Sequence, residues 1–339
     1  MELIVSLKEN SYPIIIEKGS INNLKDYLPL NGKVLIVSDD LIPEEYIEVV
    51  KKNYKNSFLF RIKHGENHKD LSSYESILKV LSDNKFSRKD AIIALGGGLT
   101  SDVVGFAASS YMRGIAFYII PTTLLSQVDA SVGGKVAVNY NGYKNQIGAF
   151  YQPKKVIIDP DTLKTLDKRL LMEGLAEVIK MSLTSNKPLF EYIASSEDIF
   201  NDPEKLISGA IRIKKGFVER DEKEKRERQI LNFGHTVGHA LESLSNGKLY
   251  HGEAVAIGMT YFVSKELRPL LIDVLKKYSL PYEDKYDIKD IIDKIKLDKK
   301  AIDDDYINIV YVKEIGKAEI RKITFKELEE MIGGRKNEK

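Results

Sequence analysis

Three of the five histidines lie within one short segment, residues 232–259. His235, His239 and His251 stand there, and Glu177 lies upstream in a glutamate-containing run at 174–180. Imidazole nitrogen and carboxylate oxygen form the donor set that holds a divalent ion such as zinc and leaves a coordination position open for substrate. Because histidine is scarce elsewhere, the cluster predicts a metal-assisted enzyme.

The spacing alone leaves the ligand set open. His235 and His239 are four residues apart and share one face of a helix, which indicates them as a ligand pair. The alternative is that these histidines cap or pack a helix. Glu177 would ordinarily be a solvated helix residue, with Lys180 as its surface ion-pair partner.

A glycine-rich turn at 96–98 follows an apolar strand and opens a helix. Backbone N–H groups and the helix dipole at such a turn face an anion such as a phosphate. The spacing is not that of the common dinucleotide fingerprint, and a plain tight turn is the alternative. Asp102 in the first helical turn, and Thr122 and Thr123 after the next strand, favour a ligand there.

Residues 122–153 combine many polar groups with glycines and small apolar residues. Asp129, Lys135, Lys144 and Asn145 belong to this stretch. Scattered lysines usually mark a solvated surface. A Gly-Gly-Lys turn and a Lys-Asn pair between apolar segments instead favour the lining of a site for an anionic substrate.

Composition narrows the class of protein. The 339 residues suffice for two domains with cores of their own, or for one large α/β unit. The 52 basic and 50 acidic residues nearly balance, which gives no general drive toward nucleic acid or membranes. Cysteine is absent, which excludes disulfides and thiolate ligands, and no apolar run reaches the roughly 18 residues of a membrane span. We expect a cytoplasmic protein.

The elements that position these residues change in character along the chain. The first half predicts strands that alternate with amphipathic helices such as 70–86, hence a parallel, helix-covered sheet; the strands are 13–17, 33–39, 91–98 and 115–122. The second half predicts helices and one late strand pair; these are 169–185, 203–220, 235–245 and 253–267, with strands 307–312 and 317–323. We predict an α/β domain over 1–155, a mainly helical domain over 156–332 and a disordered tail over 333–339.

Six runs of this sequence resemble the 3-dehydroquinate synthase family in order and spacing; they are 96–114, 121–139, 144–153, 174–180, 231–242 and 251–259. The resemblance implies an N-terminal Rossmann-like NAD-binding domain and a mostly α-helical C-terminal domain. It also implies NAD and one divalent metal, zinc or cobalt, as cofactors, and a homodimer.

The activity that the resemblance implies is a phosphate-eliminating lyase of the shikimate pathway, which leads to chorismate and the aromatic amino acids. Its substrate is a small sugar phosphate, 3-deoxy-D-arabino-heptulosonate 7-phosphate, and its product is 3-dehydroquinate. The steps are transient oxidation by NAD, phosphate elimination, re-reduction and an intramolecular aldol closure.

The resemblance also assigns residues. It makes Glu177, His235 and His251 the metal ligands and moves His239 to the substrate side. Further substrate contacts are Arg113, Asp129, Lys135, Asn145, Lys180, Lys214, Arg228 and Asn232, with Lys299 or Lys300 as another candidate. The NAD contacts are Asp39, Glu66, Lys69, Gly97, Gly98, Asp102, Thr122, Thr123, Lys135, Lys144 and Thr165.

Two positions depart from the family pattern. Ser101 stands where the family usually has glycine, which brings a Cβ close to the phosphate turn, and Val136 replaces a usual threonine. The alternatives are another sugar phosphate cyclase, such as a 2-deoxy-scyllo-inosose or valiolone-type synthase, a metal-dependent polyol dehydrogenase, and a non-catalytic binding protein.

Overall fold

The computed structural model of the chain describes residues 1–299 and 305–337. Its contacts divide the chain into two compact units. Unit 1 comprises Met1–Leu171 with Pro203–Lys223, and unit 2 comprises Met172–Asp202 with Glu224–Lys339. This division follows spatial contacts, whereas the boundary near residue 155 follows composition and stays a prediction.

Unit 1, all of whose residues are described, is built on a seven-stranded sheet. Its strands are β1 (Glu2–Val5), β2 (Tyr12–Ile16), β3 (Val34–Asp39), β4 (Ser57–Ile62), β5 (Ala91–Gly96), β6 (Ala116–Pro121) and β9 (Lys155–Ile158). They run in the order β1-β2-β9-β6-β5-β3-β4, and only the β1–β2 pair is antiparallel. Strands β7 (Lys135–Tyr140) and β8 (Tyr143–Phe150) form a separate hairpin. The uninterrupted apolar runs of β3 and β5 are buried, as a sheet covered on both faces requires.

The helices described are α1 (Leu24–Tyr27), α2 (Glu44–Lys52), α3 (Leu71–Asp83), α4 (Gly98–Ser110), α5 (Lys168–Ser185), α6 (Lys187–Ser195), α7 (Pro203–Arg220), α8 (His235–Leu244), α9 (His251–Tyr261), α10 (Arg268–Lys277), α11 (Ile288–Lys299) and α12 (Phe325–Asn337). Helices α1 to α4 and α7 belong to unit 1, where Asp70 caps α3 by accepting a hydrogen bond from Ser73 N at 2.8 Å. Unit 2 holds most of α5 and the remaining helices, together with the hairpin of β10 (Tyr306–Glu314) and β11 (Lys317–Thr324).

The α/β class followed by a mainly helical part is confirmed. Helix α7 has the predicted bounds, and α5, α8 and the four predicted strands agree within a few residues. The predicted helix 253–267 is wrong at its end, because α9 stops at Tyr261. Beyond it, Phe262 O accepts a hydrogen bond from Val312 N and Ser264 N donates to Val312 O, so the chain joins the edge of β10.

The predicted disordered tail is wrong for residues 333–337. Helix α12 runs through this segment to Asn337, and the pair Gly333–Gly334 does not end it. Leu328 and Ile332 are fully buried, and Lys336 Nζ donates to Asp284 Oδ1 at 2.7 Å. Burial of the apolar face and this ion pair outweigh the low helix propensity of glycine. Residues 338 and 339 lie outside the described part.

Among the described residues, no helix has the length and apolar character that crossing a membrane requires.

Candidate active site

A close contact between helices α8 and α9 brings the histidines together. Gly234 precedes α8 in the left-handed region (φ 77°), and a Cβ added at Gly258 of α9 would lie 2.0 Å from Gly234 O. Only glycine fits at such a backbone contact. His235 and His251 are the first residues of these two helices, and their ring centroids lie 5.2 Å apart.

The carboxylate of Glu177, on α5, is buried beside these two imidazoles. Its Oε1 lies 3.9 Å from His235 Nε2 and 3.6 Å from His251 Nε2. Its Oε2 forms an ion pair with Lys180 one turn along the helix, and both side chains are only 1–2% exposed. Neither carboxylate oxygen accepts a well-aligned hydrogen bond from the residues that the structure describes. The ordinary interpretation of Glu177 and Lys180 as a solvated pair is therefore wrong.

These donors fit a divalent cation. Two ligands of a tetrahedral zinc ion, each at 2.0–2.1 Å, lie about 3.4 Å apart. The distances from Glu177 Oε1 to the two imidazole nitrogens are close to that separation. Lys180 compensates Oε2, and a cation beside Oε1 would offset the desolvation cost that remains for this buried carboxylate.

The geometry also admits the set that spacing indicates. His235, His239 and His251 each offer a nitrogen within 4.8 Å of the others. His239 is exposed, whereas Glu177 is buried. The structure therefore groups all four side chains, and the assignment of ligands stays a prediction.

The second nitrogen of each of these two rings contacts an acceptor. His235 Nδ1 lies 3.1 Å from Phe233 O, and His251 Nδ1 lies 3.2 Å from Glu242 Oε2. With Nδ1 of each ring donating to these acceptors, Nε2 is the nitrogen that faces Glu177 and that would bind a cation. Sequence reasoning assigned no role to Glu242, although its position one turn beyond His239 on the same helix was a usable signal.

Charge and burial act in opposite directions on the pKa values of Glu177 and His251, but in the same direction on that of His235. Burial would raise the pKa of Glu177, but Lys180 and His251 lower it below its ordinary value. Burial lowers the pKa of His235, and nearby Lys180 adds to this, so the ring is neutral and able to bind a cation. Burial would likewise lower the pKa of His251, but Glu177 and Glu242 raise it.

Two more predicted substrate residues lie in unit 2 near an unpredicted glutamate. Arg228 and Asn232 belong to the 3₁₀ helix Glu227–Asn232. Glu224 Oε1 accepts a hydrogen bond from Asn232 Nδ2 at 2.9 Å, and Glu224 Oε2 lies 3.7 Å from Arg228 Nε. Glu224 adopts a left-handed backbone (φ 53°), and Arg228 is buried. Residues 219–229, which include Glu224, are mostly charged, a pattern typical of a solvated helix face, so the sequence did not single out Glu224.

The predicted cofactor residues of unit 1 meet at the carboxyl edge of the sheet. Asp39 ends β3, and its Oδ2 accepts a hydrogen bond from Thr100 Oγ1 at 3.1 Å. Gly97 and Gly98 begin α4, and added Cβ atoms there would lie 3.2 Å from Thr123 and 3.3 Å from Ala130. Thr122 and Thr123 follow β6 at the same edge. Dinucleotides bind at this edge of open α/β sheets, and the bare glycine turn fits a pyrophosphate.

Lys69 connects the cofactor side to the hairpin. Its ammonium group, on a nearly buried side chain, donates to Asp102 Oδ2 at 2.6 Å and also to Asn145 Oδ1. Burial raises the pKa of Asp102, and Lys69 opposes that shift. Glu66 lies in the same loop, in the 3₁₀ turn Glu66–His68.

Asp129 and Lys214 form an ion pair that spans 85 residues of sequence. Asp129 Oδ1 accepts from Lys214 Nζ at 2.6 Å, and Lys214 on α7 is buried. Asp129 lies in the π-helical turn Ser126–Ala130, and such turns are frequent at functional sites. Lys214 is therefore a buried partner in an ion pair and not a solvated surface lysine.

The structure places the remaining predicted residues as follows. Thr165 Oγ1 lies 3.1 Å from Tyr46 OH, and Lys135 and Lys144 belong to the β7–β8 hairpin. Arg113 is exposed beyond the far end of α4, about 20 Å along the helix from the glycine turn. The substrate contact predicted for Arg113 stays a prediction.

The structure also shows the surroundings of the two positions that depart from the family pattern, and it locates one of the two C-terminal lysines. Ser101 Oγ donates to Gly98 O at 3.0 Å, so its buried side chain bonds its own helix. Val136 is buried next to Gly105, so close that a Cβ added to this glycine would collide with it. Lys299 ends α11, and Lys300 lies outside the described residues.

Comparison with known proteins gives matches over nearly the whole chain. The family model described as 3-dehydroquinate synthase N-terminal matches residues 59–173, and the one described as 3-dehydroquinate synthase C-terminal matches residues 174–301. The 3-dehydroquinate synthase of Clostridium beijerinckii is 43% identical, over 95% of this chain and 97% of that protein.

Two solved structures have a similar fold. The 2-epi-5-epi-valiolone synthase of Streptomyces hygroscopicus, with NAD+ and Zn2+ bound, has a TM-score of 0.88 at 25% identity, over 98% of this chain and 99% of that one. A 2-deoxy-scyllo-inosose synthase complexed with carbaglucose-6-phosphate, NAD+ and Co2+ has a TM-score of 0.88 at 24% identity, with the same coverage. The second likeness supports the fold alone.

Proposed function

The chain belongs to the 3-dehydroquinate synthase family, and from this premise we propose that it catalyses that family's reaction. The substrate is 3-deoxy-D-arabino-heptulosonate 7-phosphate, and the products are 3-dehydroquinate and phosphate. The carbon–oxygen bond to phosphate breaks by elimination, so the enzyme is a lyase. The protein is closer in sequence to a 3-dehydroquinate synthase (43% identical) than to the valiolone synthase (25%), which favours this substrate over those of the other cyclases.

Glu177, His235 and His251 would hold the metal, zinc or cobalt. When bound, such an ion withdraws electron density from a substrate hydroxyl and so facilitates its oxidation. The buried Glu177 carboxylate beside two imidazole nitrogens is the observation that carries this assignment. Lys180 forms an ion pair with the second carboxylate oxygen, and its contact with substrate is part of the proposal.

NAD would be held by the carboxyl edge of the sheet and by the loop after β4. It supplies a hydride acceptor, which no amino-acid side chain provides. Asp39 suits a ribose hydroxyl, which favours NAD over NADP, and the N–H groups at Gly97 and Gly98 suit the pyrophosphate. The other proposed contacts are Glu66, Lys69, Asp102, Thr122, Thr123, Lys135, Lys144 and Thr165.

The substrate carries a phosphate and a carboxylate, so its site needs fixed cations. Lys135, Lys180, Lys214 and Arg228 supply these charges in the proposal, and His239 transfers a proton near the phosphate. Neutral and acidic contacts come from Asn145, Asn232 and Asp129, which orient the substrate hydroxyl groups. Arg113 stays a predicted contact.

The test incubates pure protein with NAD, a divalent ion and the heptulosonate phosphate. We expect 3-dehydroquinate and one equivalent of phosphate, without accumulation of NADH, because the cofactor is oxidised and reduced within one turnover. Stoichiometric NADH would indicate a polyol dehydrogenase, and a different carbocycle would indicate another cyclase. Absence of any product from this substrate would overturn the proposal.

Three other features stay proposals. We expect the enzyme to act in the cytoplasm as a homodimer. We also expect the α/β part to serve the cofactor and the mainly helical part to serve the metal. Gel filtration with light scattering would test the oligomeric state.

A further inference from the structure

Asn139 lies at an irregularity in the β7–β8 hairpin and is not among the residues proposed to contact a ligand. Val138 pairs with Ile147 and Tyr140 pairs with Tyr143, so Asn139 alone opposes three residues of β8. A β-bulge of this kind frees backbone groups from the ladder and redirects a side chain. The backbone N–H of Asn139 accordingly donates to Lys69 O at 2.7 Å instead of to the partner strand.

The side chain of Asn139 makes contacts in two directions. Its Nδ2 donates to Glu66 Oε1 at 2.8 Å and to Glu66 O at 3.3 Å. Its Oδ1 accepts from the backbone N–H of Asn145 at 2.8 Å. A carboxylate only accepts and a backbone N–H only donates, so these partners fix the orientation of the amide.

These contacts complete a ring of hydrogen bonds. Lys69, from the loop that holds Glu66, donates to Asn145 Oδ1, and Asn145 is held by Asn139. Asn145 has a left-handed backbone (φ 54°), which costs energy for a residue other than glycine and needs support from its neighbours. Asn139 provides that support and also holds the Glu66 side chain.

We propose that Asn139 is a positioning residue that fixes the cofactor-side loop of Glu66 and Lys69 against the substrate-side residue Asn145. This inference rests on the proposed function, which makes Glu66 and Lys69 NAD contacts and Asn145 a substrate contact. Asn139 touches neither ligand in this proposal. It acts by holding Glu66, Lys69 and Asn145, each of which contacts NAD or substrate in the proposal.

Asn139→Asp is the sharpest test, because it changes one donor group and almost no volume. One oxygen of the new carboxylate still accepts from Asn145, but the second oxygen faces the Glu66 carboxylate. Loss of a hydrogen bond to a charged group and the new repulsion should raise the Kd for NAD about tenfold, as measured by calorimetric titration of NAD into the full-length protein.

Asn141→Asp is the matched control on the same hairpin. Asn141 precedes Gly142 in the β7–β8 turn, and an Asp-Gly pair suits that turn as well as Asn-Gly. It adds the same charge two residues away, and no hydrogen bond from its side chain to Glu66 is described. We expect its Kd for NAD to stay within about twofold of the wild type. An equal loss in both variants would overturn the proposal.

A double variant separates positioning from general destabilisation. In a Glu66→Gln background, the glutamine amide can donate to the carboxylate that Asn139→Asp introduces. The Asn139→Asp change should therefore weaken NAD binding by less than about threefold in that background. An unchanged tenfold effect there would contradict a direct contact. If Asn139→Asp lowers the midpoint of thermal unfolding, Asn139→Ala provides a second test. This variant removes the same hydrogen-bond donor without adding a charge, and we expect it to weaken NAD binding as well.

Two results distinguish this inference from the proposed function. If the wild type binds NAD and Asn139→Asp binds it equally well, the role of Asn139 is refuted while the proposed function stands. If the wild type binds no NAD, the assignment of the cofactor residues is refuted as well.

Discussion

Glu177 is the residue on which the proposed metal site depends most. Glu177→Gln keeps the volume of the side chain and an oxygen for Lys180, but it removes the negative charge. Substitution of a residue that only supports a ligand typically lowers metal affinity by about 10–100-fold. Because Glu177 is a proposed ligand itself, we expect Glu177→Gln to weaken zinc binding by more than about 100-fold. Competition with a chelating dye measures this loss, and phosphate release should fall with it.

His239→Ala is the control that separates the two possible ligand sets. If the ligands are Glu177, His235 and His251, this variant keeps zinc affinity within a few-fold and loses turnover. If the three histidines are the ligands, His239→Ala loses the metal instead and Glu177→Gln keeps it. The pair of variants therefore decides between the interpretations that the geometry leaves open.

Glu242 acts on the metal through the ring of His251. Its Oε2 lies 3.2 Å from His251 Nδ1, and such outer contacts fix the tautomer and orientation of a ligand. We expect Glu242→Gln to lower zinc affinity by about 10–100-fold, measured with the same dye. Glu253→Gln is its control, because Glu253 caps the start of α9 by accepting from Tyr250 N. An equal loss of zinc affinity in Glu253→Gln would show that the effect comes from the start of α9 and not from the contact with His251.

At the scale of elements, the contact between α8 and α9 sets the spacing of the histidines. Gly258→Ala would force a methyl group against Gly234 O, which as backbone yields little. We expect a loss of about 1–3 kcal/mol in the free energy of unfolding by urea, together with weaker zinc binding. In helix α12, a Cβ at Gly334 meets nothing within 4 Å, so Gly334→Ala should leave stability unchanged or raise it slightly.

The sequence predicted elements with long, regular patterns and missed short ones. Helix α7 and strands β3 and β5 have periodic or continuous apolar runs, so their bounds were recognisable. Strand β4 is short and only partly buried, and β8 is largely exposed and interrupted by polar residues, so neither has a regular pattern. The extent of α12 depends on burial of its apolar face and an ion pair with Asp284, which no local pattern shows.

The candidate site was predicted to a similar degree. Residue types and the family resemblance named side chains that the structure does group, such as Glu177 with His235 and Asp129 with Lys214. Glu224 and Asn139 were not predicted, because their contacts form only in the folded chain, whereas the helical position of Glu242 relative to His239 could have indicated it. Arg113 is exposed beyond the end of α4, and its predicted contact with substrate stays a prediction.

At the scale of the whole molecule, the proposed binding groups for metal and NAD belong to separate units. The metal donors Glu177, His235 and His251 are all in unit 2, and the NAD contacts are all in unit 1. Each ligand should therefore stabilise its own unit first. At a concentration of 100 times Kd, a ligand stabilises the state that binds it by about 2.7 kcal/mol. Amides that exchange only when the binding site opens should therefore exchange roughly 100-fold more slowly.

Hydrogen exchange measured by mass spectrometry tests this expectation on the full-length protein. Zinc alone should slow exchange in α5, α8 and α9, and NAD alone should slow it at 66–69, 96–102 and 139–145. Each ligand should leave the other set of peptides nearly unchanged. Protection of 96–102 by zinc alone would mean that the metal and the phosphate turn are energetically coupled before NAD arrives, which would contradict independent binding.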